Sequence, residues 1–91
     1  MPKTPRPRKS LARKSVNRPE NQAVLDTLRE TREAADLLQS ELADLLGRSQ
    51  SYVSSAERGT IRLDALQLAD WAEACGSTLP ALAQAIDAKW R

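Results

Sequence analysis

Residues 39–58 read Gln-Ser-Glu-Leu-Ala-Asp-Leu-Leu-Gly-Arg-Ser-Gln-Ser-Tyr-Val-Ser-Ser-Ala-Glu-Arg, and the rest of the chain is organised around this stretch. Its first half has the apolar spacing of a two-turn helix, carried by Leu42, Ala43, Leu45 and Leu46. Gly47 predicts the end of that helix, because glycine adopts the required positive φ without a steric penalty. We therefore expect a short helix followed by a sharp turn.

A second helix is predicted directly after the turn. Ser49 can accept a hydrogen bond from the first free N–H groups of that helix. Val53 and Ala56 are three residues apart, so they lie on one face and can pin it to the first helix. Ala43 is small, which lets two helices joined by a short turn cross at close range. The stretch is therefore predicted to be a helix-turn-helix.

The outer face of the second predicted helix carries short hydrogen-bonding side chains that have no apolar role: Gln50, Ser51, Ser54 and Ser55. Glutamine can bond N6 and N7 of adenine with two hydrogen bonds, and serine can donate to or accept from either kind of base. These side chains therefore suit the edges of DNA bases.

From Leu28 to Leu82 the sequence resembles the phage-repressor-like helix-turn-helix family, the λ-repressor/Cro type called XRE in bacteria. The resemblance is carried by Leu28-Arg-Glu-Thr-Arg32, Gln39-Ser-Glu-Leu-Ala43, Leu46-Gly47, Ser49-Gln-Ser-Tyr-Val-Ser54, Glu57-Arg-Gly59 and Leu68 to Gly76. It implies an all-α, five-helix λ-repressor-like DNA-binding domain, which we expect over residues 20–91. Double-stranded DNA is the implied partner.

The resemblance also implies roles for individual residues. Gln50 and Ser51 would read bases first, with the two later serines of the same helix behind them. Gln39, which opens the first helix of the motif, would hold a phosphate. The other candidates for phosphate contacts are Arg48, Tyr52, Arg58, Thr60 and Arg62. The alternative for the tyrosine is a half-buried packing residue.

A structural pair is implied between Arg32 and Glu57, the glutamate that ends the reading helix. A planar guanidinium binds a carboxylate at two points, so the pair would lock helix 1 to the reading helix. A catalytic role is disfavoured, because no nucleophile or metal ligand accompanies the two residues.

Three residues of the motif depart from the family pattern. Leu38 stands where a capping serine, threonine or asparagine is usual, so the first helix must begin differently. Arg48 replaces an apolar residue inside the turn, and Ala56 replaces a larger leucine or isoleucine on the inner face of the reading helix. These departures leave the local packing and the docking angle of the reading helix open.

Helix 1 and helix 4 are predicted on either side of the motif. Helix 1 should begin near Glu20 or Asn21 and end at about Ala35, with inward-facing Val24, Leu25 and Leu28. Asp64 and Gln67 have the spacing of a capping box at the start of helix 4. The apolar side of helix 4 is then assigned to Leu63, Leu66, Leu68, Ala69, Ala72 and Cys75, while Trp71 fits either core or surface.

Helix 5 is predicted after Thr78, with Pro80 in its first turn. Leu79 and Leu82 should close the core. Ile86 and Trp90 continue the same stripe beyond the end of a compact domain of this family, so we predict that they are exposed and contact a partner subunit. A chain of 91 residues has a marginal core, which also favours a homodimer.

The chain's charge is divided unevenly along its length. Residues 1–19 carry no acid and a charge of +7, so the net charge of +2 leaves −5 for the other residues. The basic residues are Lys3, Arg6, Arg8, Lys9, Arg13, Lys14 and Arg18. Residues 1–19 contain four of the five prolines and few large apolar residues. We therefore expect this segment to be a disordered basic arm. The arm would follow the DNA backbone or enter the minor groove, and the alternative is a tail that aids solubility.

Composition narrows the function classes. No histidine, glycine-rich phosphate loop or acidic cluster at ligand spacing is present, so we expect no enzyme, cofactor or metal site. A single cysteine and the absence of a long apolar run favour a cytoplasmic protein without a membrane segment. Two functions remain: a regulator, most simply a repressor that binds an inverted-repeat operator as a homodimer, or an antitoxin that binds a toxin and autoregulates its operon.

Deleting residues 1–19 should weaken binding to every duplex and leave the fold intact, because the segment contributes charge and no core. Each lost phosphate contact should flatten the slope of log affinity against log salt by roughly 0.9. Titrating a labelled duplex at several salt concentrations measures this slope, and an unchanged slope would exclude the arm from DNA binding.

Overall fold

The computed structural model describes residues 18–90, and these residues form five α-helices. They are α1 (Pro19–Ala34), α2 (Gln39–Leu46), α3 (Gln50–Arg58), α4 (Ala65–Ala74) and α5 (Leu79–Lys89). α2 packs against α3 and α4, α1 packs against α3 and α5, and α4 packs against α5. The predicted all-α, five-helix fold is confirmed. Of the predicted arm, all but Arg18 and Pro19 lies outside the described residues.

The first helix begins one residue before the predicted domain boundary. Pro19 occupies its first turn, where a missing N–H costs nothing, and Arg18 is the extended N-cap. Arg18 Nε donates to Glu20 Oε1 at 3.3 Å, so this arginine is held at the helix start. Deleting residues 1–19, as predicted from the sequence, would remove the N-cap and the first residue of α1, so the deletion that tests the arm without touching this helix is that of residues 1–17.

The turn of the helix-turn-helix has the predicted geometry. Gly47 has φ 67° and ends α2. Ser49 caps α3, with its Oγ accepting from the backbone N–H of Tyr52 at 3.2 Å. Leu38 has no side-chain acceptor, but its own N–H donates to Glu41 Oε1 at 2.8 Å. The carboxylate of Glu41, in the first turn of α2, therefore accepts a hydrogen bond from the N-cap backbone, although position 38 has no capping side chain.

Trp71 is the largest fully buried side chain among the described residues. It is fully buried, and its indole Nε1 donates to the carbonyl oxygen of Leu28 at 3.1 Å, so no polar atom of the ring is left unsatisfied. All five helices contribute to the surrounding cluster, which contains Leu28, Leu42, Ala43, Val53, Ala56, Ala72, Leu82 and Ile86. The indole therefore ties α4 to α1 through a hydrogen bond as well as by packing.

The predicted burial of three apolar residues is wrong. Leu45 and Leu66, expected inside, are 60% and 72% exposed. At about 100° of rotation per residue, Leu66 lies on the far side of α4 from Trp71 and Ala72, whereas Leu45 lies about 110° from the middle of the α2 face formed by Leu42 and Ala43. Ile86, expected to be exposed, is buried with 9% of its surface accessible. It follows Leu82 by one turn on the same face of α5, so it faces the core.

A buried ion pair joins α1 to α3. Arg32 Nε lies 2.6 Å from Glu57 Oε2, and Arg32 Nη2 lies 3.1 Å from Glu57 Oε1. The two side chains are only 11% and 7% exposed. Arg32 Nη1 also donates to the carbonyl oxygen of Leu37 at 2.8 Å, so the guanidinium is satisfied on three sides. The structure therefore brings the predicted pair together with two-point geometry.

Removing one partner of this pair should cost roughly 3 to 5 kcal/mol in the free energy of unfolding, because an uncompensated charge stays buried. Arg32→Met and Glu57→Met measure the single losses in urea denaturation, and the double variant should lose less than their sum. Strictly additive losses would contradict the coupling of the two charges.

Candidate nucleic-acid interface

The exposed face of α3 gathers three of the four predicted base-reading residues. Gln50 and Ser51 are exposed, and Ser54 is half-buried one turn further on. These three side chains and Arg58 line one shallow surface depression. Val53 and Ala56, on the opposite side of α3, are fully buried and hold the helix against the core. The residues that line the depression therefore belong to a helix whose opposite side is packed in the core.

The fourth predicted reader, Ser55, has a different environment. It is half-buried and does not line the depression. Its carbonyl oxygen accepts from the backbone N–H of Thr60 at 3.0 Å and from Thr60 Oγ1 at 3.1 Å. The backbone carbonyl of Ser55 therefore anchors the loop after α3, while its side chain lies outside the depression lined by Ser54.

Arg58 extends the reading face. Its Nη1 donates to Ser54 Oγ at 2.9 Å, across one turn of α3. From the sequence this arginine was predicted to contact only the phosphate backbone, whereas in the structure it lies beside three of the predicted base-reading residues. The spacing of four residues was the available signal, since side chains at that distance meet on a helix.

Arg48 and Tyr52 form a stacked pair at the turn. The Arg48 guanidinium carbon lies 3.9 Å from the centre of the Tyr52 ring, within the range of a cation–π interaction. Tyr52 packs partly against the core, and burial raises the pKa of its hydroxyl, an effect that the nearby Arg48 charge opposes. Tyr52 is therefore half-buried, and its ring holds an exposed arginine in place.

The loop after α3 is held at both ends. Gly59 has φ 84°, a left-handed conformation that favours glycine, and a Cβ there would come within 2.9 Å of Leu25 Cδ1 on α1, so the leucine side chain would have to shift. Arg62 Nη2 approaches Asn21 Oδ1 on α1 at 3.4 Å. Thr60 and Arg62 are both exposed. The two candidate phosphate contacts thus stand on a loop braced against α1.

Gln39 lies at the junction of three helices. Its side-chain Nε2 donates to Glu57 Oε1 at 3.1 Å, so the first residue of α2 meets the buried ion pair between α1 and α3. This bond joins residues 18 positions apart, and no local sequence pattern predicts it.

Positive charge is concentrated in the stretch of sequence that contains α3 and the loop after it. Residues 18–90 contain twelve acidic and seven basic side chains. Between residues 45 and 63, however, the basic residues are Arg48, Arg58 and Arg62, and the one acid is Glu57. Because Arg32 neutralises that acid, the three arginines make this stretch of the sequence basic, whereas residues 18–90 as a whole are acidic. Such a division of charge favours one orientation towards a phosphate backbone.

Comparison with known proteins identifies the family. The Helix-turn-helix model HTH_3 matches residues 28–82. A solved structure of an XRE-family like protein from Pseudomonas syringae pv. tomato str. DC3000 is 41% identical, with a TM-score of 0.71. The match covers 77% of this chain and 85% of that one. The chain belongs to the XRE-type helix-turn-helix family.

Two further structures have the same fold as this XRE-type protein. Both are crystal structures of the clp gene regulator ClgR from Corynebacterium glutamicum, with 24% and 23% identity and TM-scores of 0.70 and 0.73. They cover 77% and 82% of this chain, and 74% and 97% of their own. No match was found among curated proteins. Family membership makes the protein a DNA-binding transcriptional regulator.

The remaining chemistry of this XRE-type domain is limited. Among the described residues there is no group of histidine, cysteine and acidic side chains that could hold a metal ion. Within residues 18–90, no helix is both long and apolar enough to cross a membrane. Cys75 is half-buried, and burial raises the pKa of its thiol, which disfavours the reactive thiolate.

Gln50→Ala should cost about 1 to 3 kcal/mol of binding free energy on the preferred site and little on random duplex, because the lost hydrogen bonds go to base edges. Gln84→Ala, at an exposed position of α5, is the matched control and should change neither value. Competition binding with both duplexes measures the difference. An equal loss on the two duplexes would mean that Gln50 contacts only the backbone.

Proposed function

We propose that the protein is a sequence-specific repressor that binds an inverted-repeat operator as a homodimer. The observation that carries the proposal is the face of α3. Gln50, Ser51 and Ser54 line one depression together with Arg58, above a buried side of the same helix. Hydrogen-bonding side chains with an arginine on a rigid, exposed helix suit the major groove, where each base pair has a distinct pattern of donors and acceptors.

In this proposal the residues around α3 position the helix on the duplex. The phosphate contacts come from both ends of the motif and from the following loop, through Gln39, Arg48, Tyr52, Arg58, Thr60 and Arg62. Contacts of this kind set register and orientation, while the base contacts supply specificity. Two observations support it: Arg48 is stacked on Tyr52, and the loop with Thr60 is bonded to α3.

A homodimer follows from the size of the reading surface. One short helix makes few base contacts, too few to select one site among the competing sites of a genome. Two-fold pairing doubles the contacts and places two reading helices about 34 Å apart on one side of the duplex. A dimer bound across a promoter would then exclude other proteins from it, which is the simplest form of repression.

The proposed dimer contact now depends on Trp90 alone. Ile86 belongs to the core, so the exposed apolar surface near the end of α5 is that of Trp90, which is 47% exposed. Its indole Nε1 donates to Asp87 Oδ1 at 3.0 Å, which fixes the ring at the helix end. A fixed aromatic ring with an accessible face is a favourable interface residue.

Selection of bound sequences from a random duplex pool tests the whole proposal. The expected result is an inverted repeat whose half-sites are centred about one helical turn apart. A single unrepeated motif would contradict the two-fold dimer, and the absence of any enriched motif would contradict sequence-specific binding.

Trp90→Ser should lower the self-association constant and the affinity for the full operator, and leave the helical content unchanged, because the lost contact lies outside the core. Sedimentation equilibrium and circular dichroism measure these quantities. Leu66→Ser is the matched control, since Leu66 is an exposed apolar residue on α4. If the Trp90 variant dimerises as tightly as the unaltered chain, the interface lies elsewhere, and loss of the dimer in the control would place it on α4.

A further inference from the structure

The carboxylate of Glu57 is shared by two other helices. Oε2 accepts from Arg32 Nε at 2.6 Å, and Oε1 accepts from both Arg32 Nη2 and Gln39 Nε2 at 3.1 Å. Glu57 is thus bonded to α1 through Arg32 and to α2 through Gln39. An ion pair that served only to join α1 to α3 would not need the third donor.

The bond to Glu57 determines which way the Gln39 amide points. A carboxylate has acceptors and no donor, so the amide nitrogen faces Glu57 and the amide oxygen turns away. The nitrogen carries two hydrogens, and Glu57 takes one of them. No other hydrogen bond from this amide is seen within residues 18–90. The second N–H of the Gln39 amide, at the start of α2, therefore remains available to an acceptor outside the described residues.

A phosphate needs the same orientation of the amide. Its ionised oxygens accept hydrogen bonds, so the N–H of Gln39 can bind one and the amide oxygen cannot. In a freely rotating glutamine, ordering the side chain on binding has an entropic cost. Glu57 removes part of that cost, because it already holds the amide in the binding orientation.

Arg32 makes this arrangement compatible with DNA. A bare carboxylate close to the backbone would repel the phosphates, but Arg32 pairs with both oxygens of Glu57. The hydrogen bonds to Glu57 raise the pKa of Arg32, so the guanidinium remains charged. Glu57 can therefore orient a phosphate-binding amide without adding net negative charge at the interface.

We infer that Glu57 is a positioning residue for DNA binding, whose Arg32-paired carboxylate orients the Gln39 amide for a backbone phosphate. The inference deepens the proposed function and rests on the proposed phosphate contact of Gln39. It assigns to the buried pair a second role, in recognition, besides the joining of α1 to α3.

A double-mutant cycle in the full chain tests this inference. Gln39→Ala should weaken operator binding roughly tenfold, the loss of one hydrogen bond from a neutral amide to an ionised phosphate oxygen. Because the amide carries no charge, the salt dependence should stay the same. In the background of Arg32→Met with Glu57→Met, which replaces the buried pair by apolar side chains of similar size, Gln39→Ala should cost under about twofold.

Gln50→Ala is the control for the placement of α3, and it should cost the same in both backgrounds. An equal cost of Gln39→Ala in both backgrounds would overturn the inference and leave the proposed function intact. A smaller cost of both Gln39→Ala and Gln50→Ala in the double-methionine background would also overturn it. The buried pair would then affect the placement of α3 as a whole and not the Gln39 amide in particular. No cost of Gln39→Ala in the unaltered chain would remove the proposed phosphate contact and the inference with it.

Nuclear magnetic resonance of the unaltered chain gives a second test that does not depend on folded variants. The side-chain amide of Gln39 should show restricted motion on the nanosecond timescale before DNA is added. Gln84, an exposed glutamine on α5, is the mobile reference. Equal mobility of the two amides would overturn the inference.

Discussion

The packing of α3 against the two helices that precede it depends on one buried carboxylate. Glu57 meets a guanidinium from α1 and an amide from α2, and it is itself near the end of α3. Burying two opposite charges is costly, and the cost is offset when the pair has two-point geometry and further hydrogen bonds, as Arg32 has with the carbonyl of Leu37. The position of the reading helix is thus linked to both helices that precede it.

The turn and the inner face of α3 supply the second constraint. Gly47 and Ser49 end one helix and begin the next within three residues, and Val53 and Ala56 are fully buried beneath α3. With both its start and its inner side held, α3 can present short polar side chains without adjusting its backbone. The smaller Ala56 is buried in the same core cluster as the large Trp71.

Helix caps were predictable from the sequence, because their hydrogen bonds join residues only three positions apart. The capping box of Asp64 and Gln67 has both hydrogen bonds, each at 2.8 Å, and Thr78 caps α5 by accepting from the N–H of Ala81. The end of α1 was predicted to within one residue, but the left-handed residue after it was not: Asp36 adopts φ 60°, a conformation more often taken by glycine. An aspartate at that point carries a much weaker sequence signal than a glycine does.

By itself the sequence determined the five helices, the turn, the outward residues of α3 and the pairing of Arg32 with Glu57 that the family resemblance implied. Only the tertiary structure decided which apolar residues are buried and which polar groups meet across helices. Leu45 and Leu66 are exposed, Ile86 is buried, and Gln39 bonds to Glu57. Periodicity along a helix identifies an apolar stripe, whereas burial and distant hydrogen bonds depend on where neighbouring helices pack, which is set by the whole core at once.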